Sequence, residues 1–494
     1  MKHIFTLFCF VFTFQLLSQT WTEQQILRAQ NDTITEMGVD LKAHDRKLLS
    51  IADGKVVYHF LNFNNQWVKK QIINIESAHG SKPNSVALYK NVAVIGCIDD
   101  NTDADSLNPV TSAGSAYIYL FKNDRWEYHQ KIVSSNRGNG HYFGSEISIH
   151  ESTIAVGEHR RKAAGGIPEG AVHLYKQDGN GYWSFSQKIT PPLNPEERGF
   201  GLEVELKDTL LFVGAPLEQD GGAVYFYTFN NGNWNLKQII YDNSLSGHEN
   251  YALSISHQQD FLVVGAPKHD NPAGGNSTHL SGAVYLYRFE NSTWVFKQKL
   301  TASDMSEGAY FGFSHTIKDN AIAIGSHLNH TGQNNSDSIY RSGGAYIFTY
   351  NNGTWSETQK LIPSTRGEQN YFGFGVTHLD NQFIVCAPAE KSSLPQTDPA
   401  YYHGSIYVFE RPSDIGLKEN LKNNLIVYPN PSTGIFNIPE SNQSSHLEIY
   451  NAQGQKFSQL IHNNRIDLSK FPKGLYVLIL DPNKTRKSAK IILE

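Results

Sequence analysis

Seven tryptophans, Trp21, Trp67, Trp126, Trp183, Trp234, Trp294 and Trp355, stand about 46 to 61 residues apart, and each sits in a related segment. Downstream copies read WEYHQKI, WSFSQKI, WNLKQII, WVFKQKL and WSETQKL. The first copy, QTWTEQQIL at 19–27, matches GTWSETQKL at 353–361 near the far end of the series. A repeat of this length means one supersecondary unit that buries its apolar faces against copies of itself.

Other segments keep the same phase. A Gly-led strand precedes each downstream tryptophan: GKVVYHF, GSAYIYLF, GAVHLYK, GAVYFYTF, GAVYLYRF and GGAYIFTY; a seventh, GSIYVFE, has no tryptophan after it. Before these come VAVIG, TIAVG, LLFVGAP, FLVVGAP, AIAIG and FIVCAP, and before those YFGSEISI, GFGLEVEL, YALSISH, YFGFSHTI and YFGFGVTH. Each unit is therefore four short strands. A tight turn such as Lys-Asp joins the first two, a long loop joins the second and third, and an Asn-Gly or Asn-Asn hairpin leads to the tryptophan strand. Alternation as in AVYLYRF suits strands packed between neighbouring sheets. Four-stranded units in series predict an all-β protein, a seven-bladed β-propeller over 20–410. The last unit lacks its tryptophan strand, and QTWTEQQIL supplies it. The propeller is expected to be closed by this N-terminal strand, which removes an open edge.

The Phe-Gly and Gly-Ala-Pro landmarks, clearest in GFGLEVELKDTLLFVGAP and FLVVGAPKHDN, resemble the FG-GAP repeats of integrin-α-type propellers and their bacterial relatives. Such repeats often carry a calcium loop between their first two strands. Here that connection is a short turn, as in LKDTL, IKDNA and HLDNQ, with too few oxygens for the six to eight ligands calcium takes. No metal and no cofactor is therefore expected. A separate acidic run, Asp99 to Asp105, lies in a loop between second and third strands and reads as solvated.

Residues 1–19, MKHIFTLFCFVFTFQLLSQ, read as a secretory signal peptide, with a short basic start and an apolar run of ~14 residues against the ~20 needed to span a bilayer. Beyond it only Cys97 and Cys386 remain, which gives no disulfide framework. Both stand at the ends of apolar strands and read as buried thiols. The net charge of −5 makes no case for nucleic acid or an anionic membrane.

After a polar linker at 411–423, residues 424–494 form short alternating strands without the tryptophan repeat, as expected of a small C-terminal β-sandwich. The ordered set Tyr428, Pro429, Asn430, Pro431, Gly434, Tyr450, Gly454, Leu468, Gly474, Tyr476 and the final Lys490-Ile491-Ile492 resembles the type A sorting domain of the bacterial type IX secretion system. The resemblance implies recognition by that machinery after passage to the periplasm. It also implies a protein that is secreted, extracellular or on the outer-membrane surface, either released or attached to lipopolysaccharide.

Function should lie in the variable loops between second and third strands and between fourth and first strands, which share one face. Candidate ligand-binding residues there are His159, Arg160, Arg161, His269, Asp270, His327, His330 and His403, with Glu158 beside them. His159 and His327 stand where other repeats place proline, so repeat variation explains them too. Arg160-Arg161-Lys162 could meet an acidic glycan. No catalytic residue is assigned. A secreted binding or adhesion propeller for a glycan or protein ligand is the main expectation. The alternative is a surface polysaccharide lyase or hydrolase, for which a carboxylate or histidine cluster at the central channel mouth would be the sign.

Overall fold

A computed structural model describes residues 20–28, 36–63, 66–75, 80–162, 169–192, 199–218, 221–241, 249–273, 276–332, 337–391, 403–411, 425, 427–439, 447–451, 456–458, 464–480 and 487–494. Residues 1–19, where a signal peptide is expected, residues 412–423 of the expected linker and Gly454 lie outside them. The chain divides into two compact units, Met1–Arg411 and Pro412–Glu494.

Among the described residues the first unit holds seven four-stranded antiparallel sheets, consistent with propeller blades. Six run in chain order; the first of these is Leu41–His44, Lys47–Ala52, Val56–Phe63 and Gln66–Asn74. The seventh joins Val376–Leu379, Gln382–Ala387 and Ser405–Glu410 to the N-terminal strand Thr22–Arg28, whose Leu27 pairs with Ile406. First strands neighbour one another in succession: Leu41–His44, Ser85–Tyr89, Phe143–His150, Glu203–Lys207, Ser254–Gln258, Ser314–Lys318 and Val376–Leu379, the last lying against the first.

The turn after every first strand is built alike. Asp45, Lys90, Glu151, Asp208, Gln259, Asp319 and Asp380 all have φ between +50° and +54°. Polar Asp or another short-range turn residue accepts the left-handed region at small cost, which is why this position avoids β-branched residues.

The repeat landmarks are contacts between sheets. The carbonyl of the Phe-Gly segment in one sheet lies against glycines of the sheet before it. At Gly282 (φ +87°) a Cβ would sit 2.1 Å from the Phe311 carbonyl oxygen, and at Gly265 it would sit 2.2 Å from that of Gly312. Isolated bridges Gly114–Phe143, Gly170–Phe200, Gly282–Phe311 and Gly343–Phe372 repeat the contact. Glycine is required because the backbones meet where a side chain would stand.

A second seam runs along the outer strands. Each tryptophan is followed four residues later by a glutamine. Each glutamine clamps the backbone of the tryptophan in the next sheet: its Nε2 donates to the tryptophan carbonyl, and its Oε1 accepts the tryptophan N–H. The pairs are Gln71–Trp126, Gln130–Trp183, Gln187–Trp234, Gln238–Trp294 and Gln298–Trp355, all at 2.7–3.0 Å. The N-terminal strand takes both roles. Gln359 clamps Trp21 at 2.7 Å in both bonds, and Gln25 clamps Trp67 at 2.8 Å in both. Between the seams lie apolar layers drawn from two sheets at a time, such as Val94, Ile118, Ile154, Val156 and Trp183.

The second unit has a four-stranded sheet, ordered Lys456–Ser458, Leu447–Asn451, Gly474–Leu480 and Lys487–Leu493, and a pair, Ile435–Asn437 with Arg465–Asp467. Phe436, Ile449, Ile466, Leu468, Leu478 and Ile491 share its core.

Candidate functional site

The loops after the second strands carry a recurrent polar anchor. Four residues beyond the strand-end glycine, or beyond Cys386 in the seventh sheet, stand Asp100, Glu218 and Glu390. Each is buried and accepts a hydrogen bond from the third-strand tyrosine: Tyr117 to Asp100 at 2.6 Å, Tyr225 to Glu218 at 2.7 Å, and Tyr407 to Glu390. Fourth-strand cations complete two of them, Lys131 to Asp100 at 2.8 Å and Arg28 to Glu390 at 3.0 Å. In the sixth sheet Asp304 takes this role, bound by Tyr346 at 2.6 Å and Lys360 at 2.6 Å. Burial alone would raise the Asp100 carboxyl. Hydrogen bonds from Lys131, Ser115 and Tyr117 outweigh it and hold the group below its ordinary value. The acidic run expected to be solvated is therefore corrected at Asp100, which anchors the loop. Cys97 and Cys386 are free buried thiols.

Two candidate residues fall in this same repeat slot. Arg161 pairs with Glu169. His269, buried, lies 3.2 Å from Lys299 Nζ and edge-on to Tyr285. Asp270 accepts the Leu280 N–H at 2.7 Å and faces His279 at 3.0 Å. In the third sheet histidine replaces the tyrosine, and His173 Nε2 lies 2.8 Å from the buried Glu158 carboxylate. His159 packs against Tyr142, over which Arg160 also lies. His327, expected at the loop surface, is instead buried among Phe313, Phe374, Tyr310 and Tyr371; burial drives it down to about 3, so it stays neutral.

Arg366 connects the backbone of His330 to a cavity that His403 lines. Arg366 donates to the His330 carbonyl at 3.2 Å and to Ser342 Oγ at 3.0 Å, and pairs with Asp337. Beside it opens a cavity of about 480 Å³ lined by Arg28, Thr365, Arg366, Asn370, Glu390, Lys391 and His403. His403 Nδ1 donates to the Gly404 carbonyl at 2.8 Å. His159, Arg160, Arg161, His269 and Asp270 lie in other sheets' loops, and His327, in the same loop as His330, does not line the cavity. Among the described residues no group of three or more His, Cys, Asp or Glu is placed to hold a metal ion.

In the second unit Tyr428 and Asn437 exchange backbone bonds at 2.7 and 3.1 Å. Asn430 Oδ1 accepts the Ile492 N–H at 2.8 Å, which ties the Tyr-Pro-Asn-Pro segment, Pro429 and Pro431 included, to the last strand. At Gly434 a Cβ would meet Ser469 at 2.6 Å, whereas Gly474 faces open space. Tyr476 donates to the Pro472 carbonyl at 2.7 Å, and Lys490 pairs with Val477 across the final strands.

Residues 126–175 and 294–348 match the FG-GAP repeat family, and residues 426–494 match the secretion system C-terminal sorting domain family. The chain carries FG-GAP repeats and a C-terminal sorting domain. No curated protein matches it. The sorting domain marks proteins exported by the type IX system, so its partner is that machinery and its destination the cell surface or extracellular space.

One feature of the FG-GAP repeats escaped the sequence reading. The residues just before the first turns include His44, Tyr89, His150 and Lys207, at the opposite end of the strands from the long loops. They gather around a second cavity of about 350 Å³ that Lys42, Ser148 and Glu205 also line. Burial raises the carboxyls of Glu203, to about 8, and Glu205, to about 7, against the pull of Lys42. The signal was a polar residue at one repeat phase, spread over four units.

Proposed function

We propose that this exported protein is a binding or adhesion module whose FG-GAP region is a seven-bladed propeller closed by the N-terminal strand. The proposed organisation is a signal peptide at 1–19, the propeller at 20–410, a linker at 411–423 and a β-sandwich sorting domain at 424–494. The matching of the Gln359–Trp21 and Gln25–Trp67 clamps to the other five supports closure. Closure turns the loops into a rigid display face. The observation that carries a binding role is the loop-face cavity. Its two arginines are held by Glu390 and Asp337, while Lys391 and His403 have no ion-pair partner among the described residues and line the cavity. That set suits the hydroxyl and acidic groups of a glycan or the acidic side chains of a protein. Retention at the surface would be through lipopolysaccharide.

The test is a glycan and surface-protein binding array with the mature chain, run beside a polysaccharide-degradation screen. Specific binding without turnover, lost in Lys391→Glu, supports the reading; binding unchanged in that variant removes the loop-face site. A second reading, a polysaccharide-active enzyme, draws on the grouping of His44, His150 and Glu205 at the far end of the first strands. Turnover of any polymer would favour it.

A further inference from the structure

In the sixth sheet the anchor slot, four residues beyond Gly325, holds an amide, Asn329. Elsewhere it holds Asp100, Arg161, Glu218, His269 or Glu390. Asn329 is wholly buried, and the fourth-strand lysine reaches it: Lys360 Nζ donates to Asn329 Oδ1 at 3.0 Å. In the second sheet Lys131 meets a carboxylate in the slot itself, Asp100. Here the carboxylate comes from a different loop, as Asp304, 2.6 Å from Lys360 Nζ. Lysine, amide and carboxylate thus meet at one point, where the Lys360 and Asp304 side chains are only 8% and 9% exposed.

The groups around this point fill the roles of an acyl transfer. A lysine amine becomes a nucleophile once it gives up a proton. Asp304 is within reach to take that proton, and Tyr346 Oη, donating at 2.6 Å, and the Thr331 hydroxyl steady its carboxylate. Burial lowers the Lys360 ammonium against the pull of Asp304, which eases the loss. With a C=O length of ~1.23 Å, Nζ stands no more than ~4.2 Å from Asn329 Cγ, so a shift of about 1 Å brings it to attacking distance. The Thr331 N–H donates to Asn329 Oδ1 at 2.9 Å, where negative charge collects during attack. The Thr331 carbonyl and hydroxyl each accept from Lys360 at 2.8 Å and hold the end of its side chain beside the amide. The nitrogen that would leave is held loosely: among the described residues, Asn329 Nδ2 has one bond, to Ser306 Oγ at 3.4 Å. The buried Tyr346 ring, 5.2 Å from Nζ, covers the group.

We propose that Lys360 and Asn329 join in an intramolecular amide cross-link after folding. Asp304 takes a proton from the Lys360 ammonium. The free amine adds to Cγ, the Nζ–Cγ bond forms, and the Cγ–Nδ2 bond breaks. Nδ2 leaves as ammonium, carrying both protons that Nζ gives up. Asp304 ends as it began, a carboxylate, now accepting from the new amide N–H. The balance needs no oxidant and no cofactor. The bond ties the loop after Ala321–Ser326 to the strand Thr354–Leu361. That loop also carries His330, whose carbonyl accepts from Arg366, so the cross-link stiffens one wall of the loop-face cavity whatever that cavity binds.

The experiment is mass spectrometry of the full mature chain, folded and held at neutral pH, both intact and after proteolysis. Wild type should be lighter than its sequence mass by one ammonia, about 17 Da, and should yield a branched peptide joining Asn329 to Lys360. Lys360→Arg, which keeps a cation beside Asp304, and Asn329→Ala should both show their sequence mass. Asp304→Asn should carry less than a tenth of the wild-type cross-link in its folded fraction. Wild type at its sequence mass, with chain cleavage after an unmodified Lys360, would overturn the proposal whatever the variants do, so a variant that fails to fold leaves the test intact. A loss of ammonia that maps to other residues would overturn it too, and a full cross-link in Asp304→Asn would overturn the role given to that carboxylate.

Discussion

Replacing Gln130 with leucine keeps the volume of the side chain and removes both bonds of one clamp. The Trp183 carbonyl loses a donor at 2.7 Å, and its N–H loses an acceptor at 2.9 Å. Two hydrogen bonds at about 1 kcal/mol each give about 2 kcal/mol. The seam is only partly buried, so water can replace part of each bond and the desolvation penalty adds little. Gln359→Leu removes the same pair of bonds from Trp21, at 2.7 Å each. In a closed ring the two variants should lose the same stability, about 2 kcal/mol each. Urea unfolding followed by tryptophan fluorescence measures this, and a common slope with a shifted midpoint would show a change in stability rather than in compactness. A silent Gln359→Leu beside a costly Gln130→Leu would mean that the N-terminal strand frays independently and the ring is open there. Both variants within about 0.5 kcal/mol of wild type would refute the clamps as a source of stability.

Gly282→Ala forces a methyl against the Phe311 carbonyl at a left-handed φ, so it should lose at least ~3 kcal/mol or fail to accumulate in soluble form; a wild-type melting curve would be inconsistent with the close seam. Lys131→Met leaves Asp100 buried without its cation, held only by the neutral donors of Ser115, Tyr117 and Thr102, so it should lose ~3 kcal/mol in unfolding free energy, and adding Asp100→Asn should recover part of that. Burial would raise the carboxyls of Asp100, Asp304 and Glu158, but their hydrogen-bond partners hold all three below their ordinary values in the fold. Their stabilisation is therefore present above about pH 4 and lost as pH falls below it, so melting temperature should drop from pH ~5 to ~3 more steeply in wild type than in the double variant. A reporter fused to residues 420–494 and given a signal peptide should reach the surface of a bacterium with the type IX system, and retention in the periplasm would count against the sorting assignment.

Much of the architecture was legible because its determinants are local. Asn-Gly turns, alternating strands and the Phe-Gly and Gly-Ala-Pro landmarks all speak within a few residues. The glutamine four residues after each tryptophan was equally visible, yet its meaning was not, since its partner lies in another sheet. The same limit governed the candidate sites. His269 and Arg161 stood out as chemistry-bearing loop residues, but they occupy the slot filled elsewhere by Asp100 and Glu390, and their roles follow from that packing. His327 read as a loop histidine because nothing local shows four aromatic rings converging on it from neighbouring segments. His44, Tyr89, His150 and Lys207 each looked like an ordinary residue before a turn. Only the side-by-side order of first strands makes them one wall.

The claim on which the rest depends is that the N-terminal strand completes the last sheet. Amide hydrogen exchange of residues 22–28 in the mature chain tests it directly. Protection comparable to that of Gln66–Asn74, the fourth strand of the first sheet, is the predicted result. Exchange at the rate of an unfolded peptide, with Ser405–Glu410 exposed on its free side, would contradict closure and with it the rigid display face.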